Sequence, residues 1–276
     1  MLIRILTIAG QEMRIGLRNR WILLAAVILA LFSLSLALLG SAPAGTLGVD
    51  RMTVTVASLS SLSVYLVPLI ALLLAFDAVA GEIDRGTLQL IFSCPISRGE
   101  FLFGKALGHF AVIVLALGGG YGVTAVLLLA TGGGSQAALI DFARLVATSA
   151  LLGLAFLALG YVLSAAARHT STAAALSIGI WLLMVVLYDL ALLGVLVSET
   201  SGFFAARILP FAIIANPADA FRLFNLNALG ASDLVGGMAG IAEALPYPPA
   251  VALLSIGIFI VLALALAVVL VRRITP

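Results

Sequence analysis

The sequence predicts an all-α integral membrane protein of six transmembrane helices. Three observations carry that expectation. The 276 residues are 63% hydrophobic and only 9% charged, whereas about a quarter of a soluble domain is charged. Six apolar stretches, 21–40, 58–80, 101–130, 145–167, 173–197 and 249–271, reach the roughly 20 residues that a spanning helix needs. Runs such as LIALLLAF (69–76) lack the polar–apolar alternation of a closed β-barrel. A single cysteine, Cys94, rules out an intramolecular disulfide and with it a stapled extracellular domain.

Taken in order, residues 1–20 form an amphipathic helix. Leu2, Leu6, Ala9, Met13 and Leu17 share one face, and Arg4, Thr7, Gln11, Arg14 and Arg18 share another. A basic amphipathic helix before a span lies in the membrane interface. The first span ends in LLGSAPAG, a faint likeness to a signal-peptide cleavage site. The 20 residues ahead of it and its length favour an uncleaved helix. In the second span Pro68 is placed to kink the helix.

The segment 81–100, containing EIDRGTLQLIFSCPISRGE, interrupts the apolar chain. Gly86 offers a break after the second span, and Thr87 opens a short helix carrying Leu88, Leu90, Ile91 and Phe92. Cys94 precedes Pro95, which biases it away from helix. Ser97-x-x-Glu100 is a capping box that restarts the chain as the third span. An ordinary turn needs no apolar short helix. Leu90, Ile91 and Phe92 call for burial against lipid, neighbouring helices or another protein's groove.

The third span, 101–130, is too long for the hydrocarbon, so part of it protrudes. Its Gly118 and Gly122 form a small-xxx-small pair. The acids nearest the membrane, Asp77 and Asp189, read as interfacial or packing residues. Asp189 is about 24 Å along the fifth span from Ala173, near its far end. The segment 198–248 contains two apolar helices shorter than a span. Asn216-Pro217-Ala218-Asp219 supplies an N-cap, a proline at the first helical position and an acid in the first turn, with Phe221, Leu223 and Phe224 following. Ser232 and Asp233 open a second helix ending near Pro246. Both read as re-entrant or interfacial.

Six spans put both termini on one side. That side carries ten Lys and Arg residues, from Arg4 to Arg273, and the other carries Arg51, Arg144, Arg207 and Arg222. The positive-inside rule then places both termini and 81–100 in the cytoplasm, and 198–248 outside.

Several chemistries are excluded. No G-x-x-x-x-G-K-[ST] loop exists, and Ala106 follows the lone lysine, Lys105, so ATP is not bound in that manner. His109 and His169 do not form a zinc-protease motif. Met52, Met184, Met238 and Cys94 are scattered, not laddered as a soft-metal path would be. No metal ligand set, paired carboxylates or nucleophile–base pair argues for an enzyme. Nothing points to nucleic acid.

The run Glu82-x-x-Arg85-Gly86-Thr87-Leu88, then Pro95-x-Ser97-Arg98 and Lys105, resembles the cytoplasmic turn of ABC-2-type permeases. The resemblance covers the whole chain. It implies a pair of six-span subunits in lipid, each with a separate ATPase subunit that holds the ATP and Mg. It makes the N-terminal helix an elbow helix, 81–100 a coupling helix, and the short outer helices a re-entrant pair. Glu82, Asp84, Arg85, Gly86, Thr87, Leu88, Leu90, Ile91, Phe92, Pro95, Ser97 and Arg98 would then meet the ATPase. Leu90, Ile91 and Phe92 would be an apolar knob, and Glu82, Asp84, Arg85 and Arg98 a charged rim.

Two further blocks, Tyr188–Gly194 and Asn216–Leu226, resemble a branch of that family that serves copper-site maturation of nitrous oxide reductase in denitrifying Gram-negative bacteria. That resemblance implies a periplasmic partner, with Arg207, Asn216, Asp219, Phe221, Arg222 and Phe224 as its contacts. It leaves open export of a sulfur or copper-related species, or mechanical action with nothing crossing. Export of a lipid or drug-like hydrophobic substrate is the alternative.

Overall fold

The computed structural model describes residues 1–39, 51–130, 136–199, 202–228 and 247–274, and among these all regular structure is helical. The helix proposed from Ser232 to Pro246 lies outside the described residues. Helix α1 (Leu2–Arg18) meets α2 (Arg20–Leu39) at a bend of 67°. Helix α3 (Arg51–Ala75) runs unbroken through Pro68, and α4 (Asp77–Asp84) continues it. The short α5 (Thr87–Ser93) precedes α6 (Arg98–Ala130) and α7 (Gln136–Ala166). Next, α8 (Thr170–Trp181), a π-turn (Leu182–Leu187) and α9 (Tyr188–Ser198) form one rod. A second π-turn (Phe204–Ile208) leads into α10 (Leu209–Ala215), α11 (Pro217–Ala228) follows, and α12 (Ala250–Arg273) ends the chain.

Among the described residues, five helical stretches are each long and apolar enough to cross a membrane, and two bent pairs raise the count to seven if each is one span. At 33 residues, α6 is about 50 Å long. It therefore outruns a hydrocarbon core of about 30 Å.

Helix α7 is the centre. It packs against α3, α4, α6, α8, α11 and α12, and its Leu145, Leu152, Phe156 and Tyr161 are fully buried. The rod α8–α9 is peripheral and presents Leu176, Ile178, Leu187 and Leu190 outward, the apolar exterior that lipid requires. Side-chain hydroxyls tie the helices internally. Ser63 Oγ and Tyr121 OH are 2.6 Å apart, Ser33 Oγ and Thr124 Oγ1 are 2.5 Å apart, and Asn225 Nδ2 donates to Thr148 Oγ1 at 3.0 Å.

Three local features differ from or add to the sequence reading. The helix of the second span is interrupted at Phe76, between α3 and α4, ahead of the expected break at Gly86. Ser164 on α7 stabilises it: its Oγ accepts from Val79 N at 2.9 Å and Ala80 N at 3.0 Å and donates to the Phe76 carbonyl at 2.6 Å. A helix start leaves such donors orphaned, and here a neighbouring helix supplies the cap. Ser164→Ala is expected to cost about 1–3 kcal/mol, read as a lower unfolding temperature with faster amide exchange at Val79 and Ala80. Unchanged exchange there would contradict this.

The second change concerns glycines. Among the described residues a Cβ on Gly118 or Gly122 would meet nothing within 4 Å, whereas one on Gly104 would meet Ile8 Cβ at 2.7 Å and one on Gly108 the Ala9 carbonyl at 2.6 Å. The close approach is between α6 and α1, one helical turn after another.

The third is the orientation of α1. Leu2, Leu6 and Leu17 are exposed, and the buried residues are Ala9, Glu12 and Gly16. Contact with Gly104 and Gly108 turns Glu12 inward and leaves the leucines beside Arg14 and Arg18, the mixture an interfacial helix shows to lipid.

Candidate coupling site

The segment 81–100 is assembled from local signals. Gly86 takes φ 67°, the left-handed conformation that glycine adopts without a Cβ clash. That turn reverses the chain between α4 and α5. Beyond α5, Ser97 Oγ accepts from Glu100 N at 3.1 Å and Glu100 Oε2 from Ser97 N at 2.8 Å, so the expected capping box is present.

Within this frame the expected knob divides. Leu90 is 70% exposed. Leu88 is buried, and Ile91 and Phe92 pack partly into the core. Phe92 lies edge-to-face on Phe101 with centroids 5.6 Å apart, and the Arg98 guanidinium sits 5.3 Å over its ring. An aromatic next to the chain's own helix has already found its burial partner. The apex open to a partner is Gly86, Gln89, Leu90, Ser93, Cys94 and Pro95.

The expected charged rim is largely engaged within the chain. Asp84 Oδ2 accepts from Thr170 N at 2.6 Å and caps α8, with His169 Nδ1 at 3.2 Å from Oδ1. Arg85 pairs with Asp77 at 3.1 Å and Glu82 at 3.6 Å, which gives Asp77 a structural role. Arg98 Nη1 donates to the Val271 carbonyl at 2.9 Å and to the Arg272 carbonyl, capping α12.

Behind the apex lies a buried polar chain that the sequence did not disclose. Thr87 Oγ1 donates to Glu82 Oε2. Lys105 Nζ lies 2.9 Å from Glu82 Oε1 and 2.7 Å from Glu12 Oε1. His109 Nε2 is 3.2 Å from Glu12 Oε2, and its Nδ1 is 2.8 Å from the Tyr161 hydroxyl. Burial by itself would raise the Glu12 carboxyl, but the His109 hydrogen bond and the Lys105 ammonium outweigh it and hold it down to about 2. The two carboxylates share one ammonium that is 6% exposed. A sequence signal existed: the lone lysine sits between two small residues, Gly104 and Gly108, opposite an acid on an amphipathic helix.

At the opposite end, α10 and α11 meet at a bend of 107°. The Asn216 signal is fulfilled: its Oδ1 accepts from Ala218 N at 3.1 Å, with Pro217 first in α11. Asn216 Nδ2 donates to the Met184 carbonyl at 2.6 Å, inside the first π-turn, and to Asp219 Oδ2 at 3.1 Å. A π-turn offers carbonyls to such side chains, and functional sites often contain one. Arg222 Nη1 is 2.7 Å from Asp189 Oδ2 and 3.7 Å from Asp219 Oδ1.

The outer residues expected to touch a partner are therefore mostly internal. Asn216, Asp219 and Phe221 are buried, and Arg222 and Phe224 are largely covered. Arg207 is exposed. The reason is charge and shape: a helix bent this sharply needs its own charges paired to stay against α9. The helix preceding Asn216, α10, was not foreseen.

A family model described as ABC-2 family transporter protein matches residues 6–273. The chain belongs to the ABC-2 transporter family. The permease is 43% identical over 269 residues to a probable ABC transporter permease protein NosY of Pseudomonas aeruginosa, covering 97% of each chain. It is 39% identical over 268 residues to a probable ABC transporter permease protein NosY of Stutzerimonas stutzeri, covering 96% of this chain and 97% of that one. It is thus the non-catalytic membrane subunit of an ABC transporter, as residues 82–105 suggested. Among the described residues of the permease, no group of three His, Cys, Asp or Glu is placed to hold a metal ion, and Cys94 is an exposed free thiol.

Proposed function

We propose that this permease couples ATP hydrolysis in a separate, NosF-like ATPase subunit to work at the far side of a bacterial inner membrane, in copper-site maturation of nitrous oxide reductase. The work is export of a sulfur or copper-related species, or mechanical action on a NosD-like periplasmic protein. Two copies of the permease act together, with both termini and 81–100 in the cytoplasm, the orientation favoured by the distribution of Lys and Arg.

One observation carries the coupling role. The short helix Thr87–Ser93 is fastened at its base and exposes Leu90 at 70% on its apex. A single apolar side chain on a rigid protrusion fits the helix-in-groove mode of recognition. Similarity over nearly the whole chain to two permeases named NosY supports the maturation reading.

Leu90→Asp tests it. The substitution sits on the surface and leaves the fold intact, so the permease is expected to enter the membrane normally and lose the ATPase on copurification. Burying a leucine stabilises by about 1.5–3 kcal/mol, enough to weaken the complex roughly tenfold or more. ATPase recovery equal to wild type would remove Leu90 from the interface. Loss of the copper–sulfide centre of the reductase in the same strain would tie coupling to maturation.

A further inference from the structure

We infer that the N-terminal helix is a splint for the coupling helix, and that Lys105 is the positioning residue that makes the two move as one body. This rests on the reading of 82–98 as the ATPase docking site, and it assigns α1 a role beyond that of a membrane anchor.

The splint grips the coupling segment at both ends. At one end Arg4 Nη1 donates to the Pro95 carbonyl at 2.5 Å, just past α5, and Arg4 and the Met1 amino group lie 3.8 and 3.9 Å from Glu100. At the other end Glu12 holds Lys105, which holds Glu82, which accepts from Thr87, the first residue of α5. From Arg4 to Glu12 is about 12 Å along a helix, and the seven residues of α5 rise about 10 Å. The two grips are therefore spaced like the helix they bracket.

Lys105 is the joint because, among the described residues, it is the one cation paired with both acids: Arg85 reaches only Glu82, at 3.6 Å, and His109 only Glu12, at 3.2 Å. Glu12 and Glu82 are 11% and 14% exposed, and both take their short ion pair from this one ammonium. Glu82 lies on α4, one turn before α5, and is tied to it by Thr87, so sliding the α4–α5 turn away from α1 would strand a carboxylate in a site that water barely reaches. The chain continues inward through Glu12, His109 and Tyr161, the last fully buried on central helix α7. A push on Leu90 is thus delivered to α1 and α7 together. Simple stabilisation does not explain the arrangement, since apolar side chains often stabilise such a site as well or better, whereas a buried charged joint fixes register.

The test uses the assembled permease–ATPase complex in lipid nanodiscs. Spin labels are placed at Gln11→Cys on α1 and Gln89→Cys on α5, in a Cys94→Ser background; because Gln89 and Cys94 lie at the apex, the labelled parent is read only where its ATPase copurification equals that of the unlabelled permease. The joint is removed as Glu12→Gln/Glu82→Gln/Lys105→Met, which leaves none of its three charges behind, because Lys105→Met alone strands two acids and threatens folding. In the parent, the Gln11–Gln89 distance is expected to stay fixed when ATP and vanadate are added. In the triple variant it is expected to broaden and shift, and permease-dependent stimulation of ATP hydrolysis to fall about tenfold, within the range of a single coupling element. ATPase copurification should be unchanged. A distance that stays fixed and stimulation that persists in the variant overturn the splint. A parent distance that changes on ATP binding overturns it as well. Failure of Leu90→Asp to weaken ATPase binding would instead overturn the docking site itself, a separate outcome.

Discussion

Replacing Arg222 with methionine is expected to be the most damaging single change at the far end of the permease. Arg222 lies 2.7 Å from Asp189 and 3.7 Å from Asp219. The three side chains are 14%, 19% and 2% exposed, so solvent screens them little. Removing one member of a buried ionic group costs about 3–5 kcal/mol, chiefly because the charge left behind has no partner. Here Asp189 and Asp219 would be left facing each other without a cation. The expected result is a markedly lower unfolding temperature in detergent or nanodiscs, with α11 released from α9. The variant Asp189→Asn/Asp219→Asn/Arg222→Met removes all three ionisable groups and is expected to recover most of the loss. A wild-type unfolding temperature for Arg222→Met would show that the cluster does not hold the broken helix.

A second large effect is expected at the opposite end from Gly108→Leu. A Cβ there would sit 2.6 Å from the Ala9 carbonyl oxygen and 2.7 Å from Glu12 Cβ. Both distances are below van der Waals contact, and one partner is backbone, so α1 must lift off α6. Overpacking costs about 1–3 kcal/mol, and the lift also draws Glu12 away from Lys105 and His109. Trypsin cleavage at Arg14 and Arg18 is expected to accelerate as α1 loosens. Gly118→Leu on the same helix has nothing within 4 Å and is expected to change stability by less than about 0.5 kcal/mol. Equal behaviour of the two variants would place α1 elsewhere than against Gly104 and Gly108.

Features set by neighbours in the chain were legible. The Ser97–Glu100 box and the Asn216-Pro217 helix start each need only residues within one helical turn, and both form as expected. The short helix Thr87–Ser93 followed from Gly86, Thr87 and Pro95 in the same way. The candidate site was legible in position but not in detail. Its apolar centre was read as three equivalent residues, yet Phe92 turns onto Phe101 and Leu90 alone of the three stays exposed. No local pattern tells a leucine facing out from a phenylalanine facing in, because that depends on where α6 lies.

The sequence by itself determined an all-helical chain with several apolar helices long enough to cross a membrane, the short helix after Gly86, and the family. Composition, run length and adjacent-residue signals suffice for these, since lipid forces backbone hydrogen bonds to close within each segment. Only the tertiary structure decided which face of α1 is buried, where the second span breaks, and which charges pair. Glu12 and Lys105, Ser164 and Phe76, and Arg222 and Asp189 are far apart in sequence. Their energies depend on distances of a few ångströms and on burial, and both arise only when the helices pack.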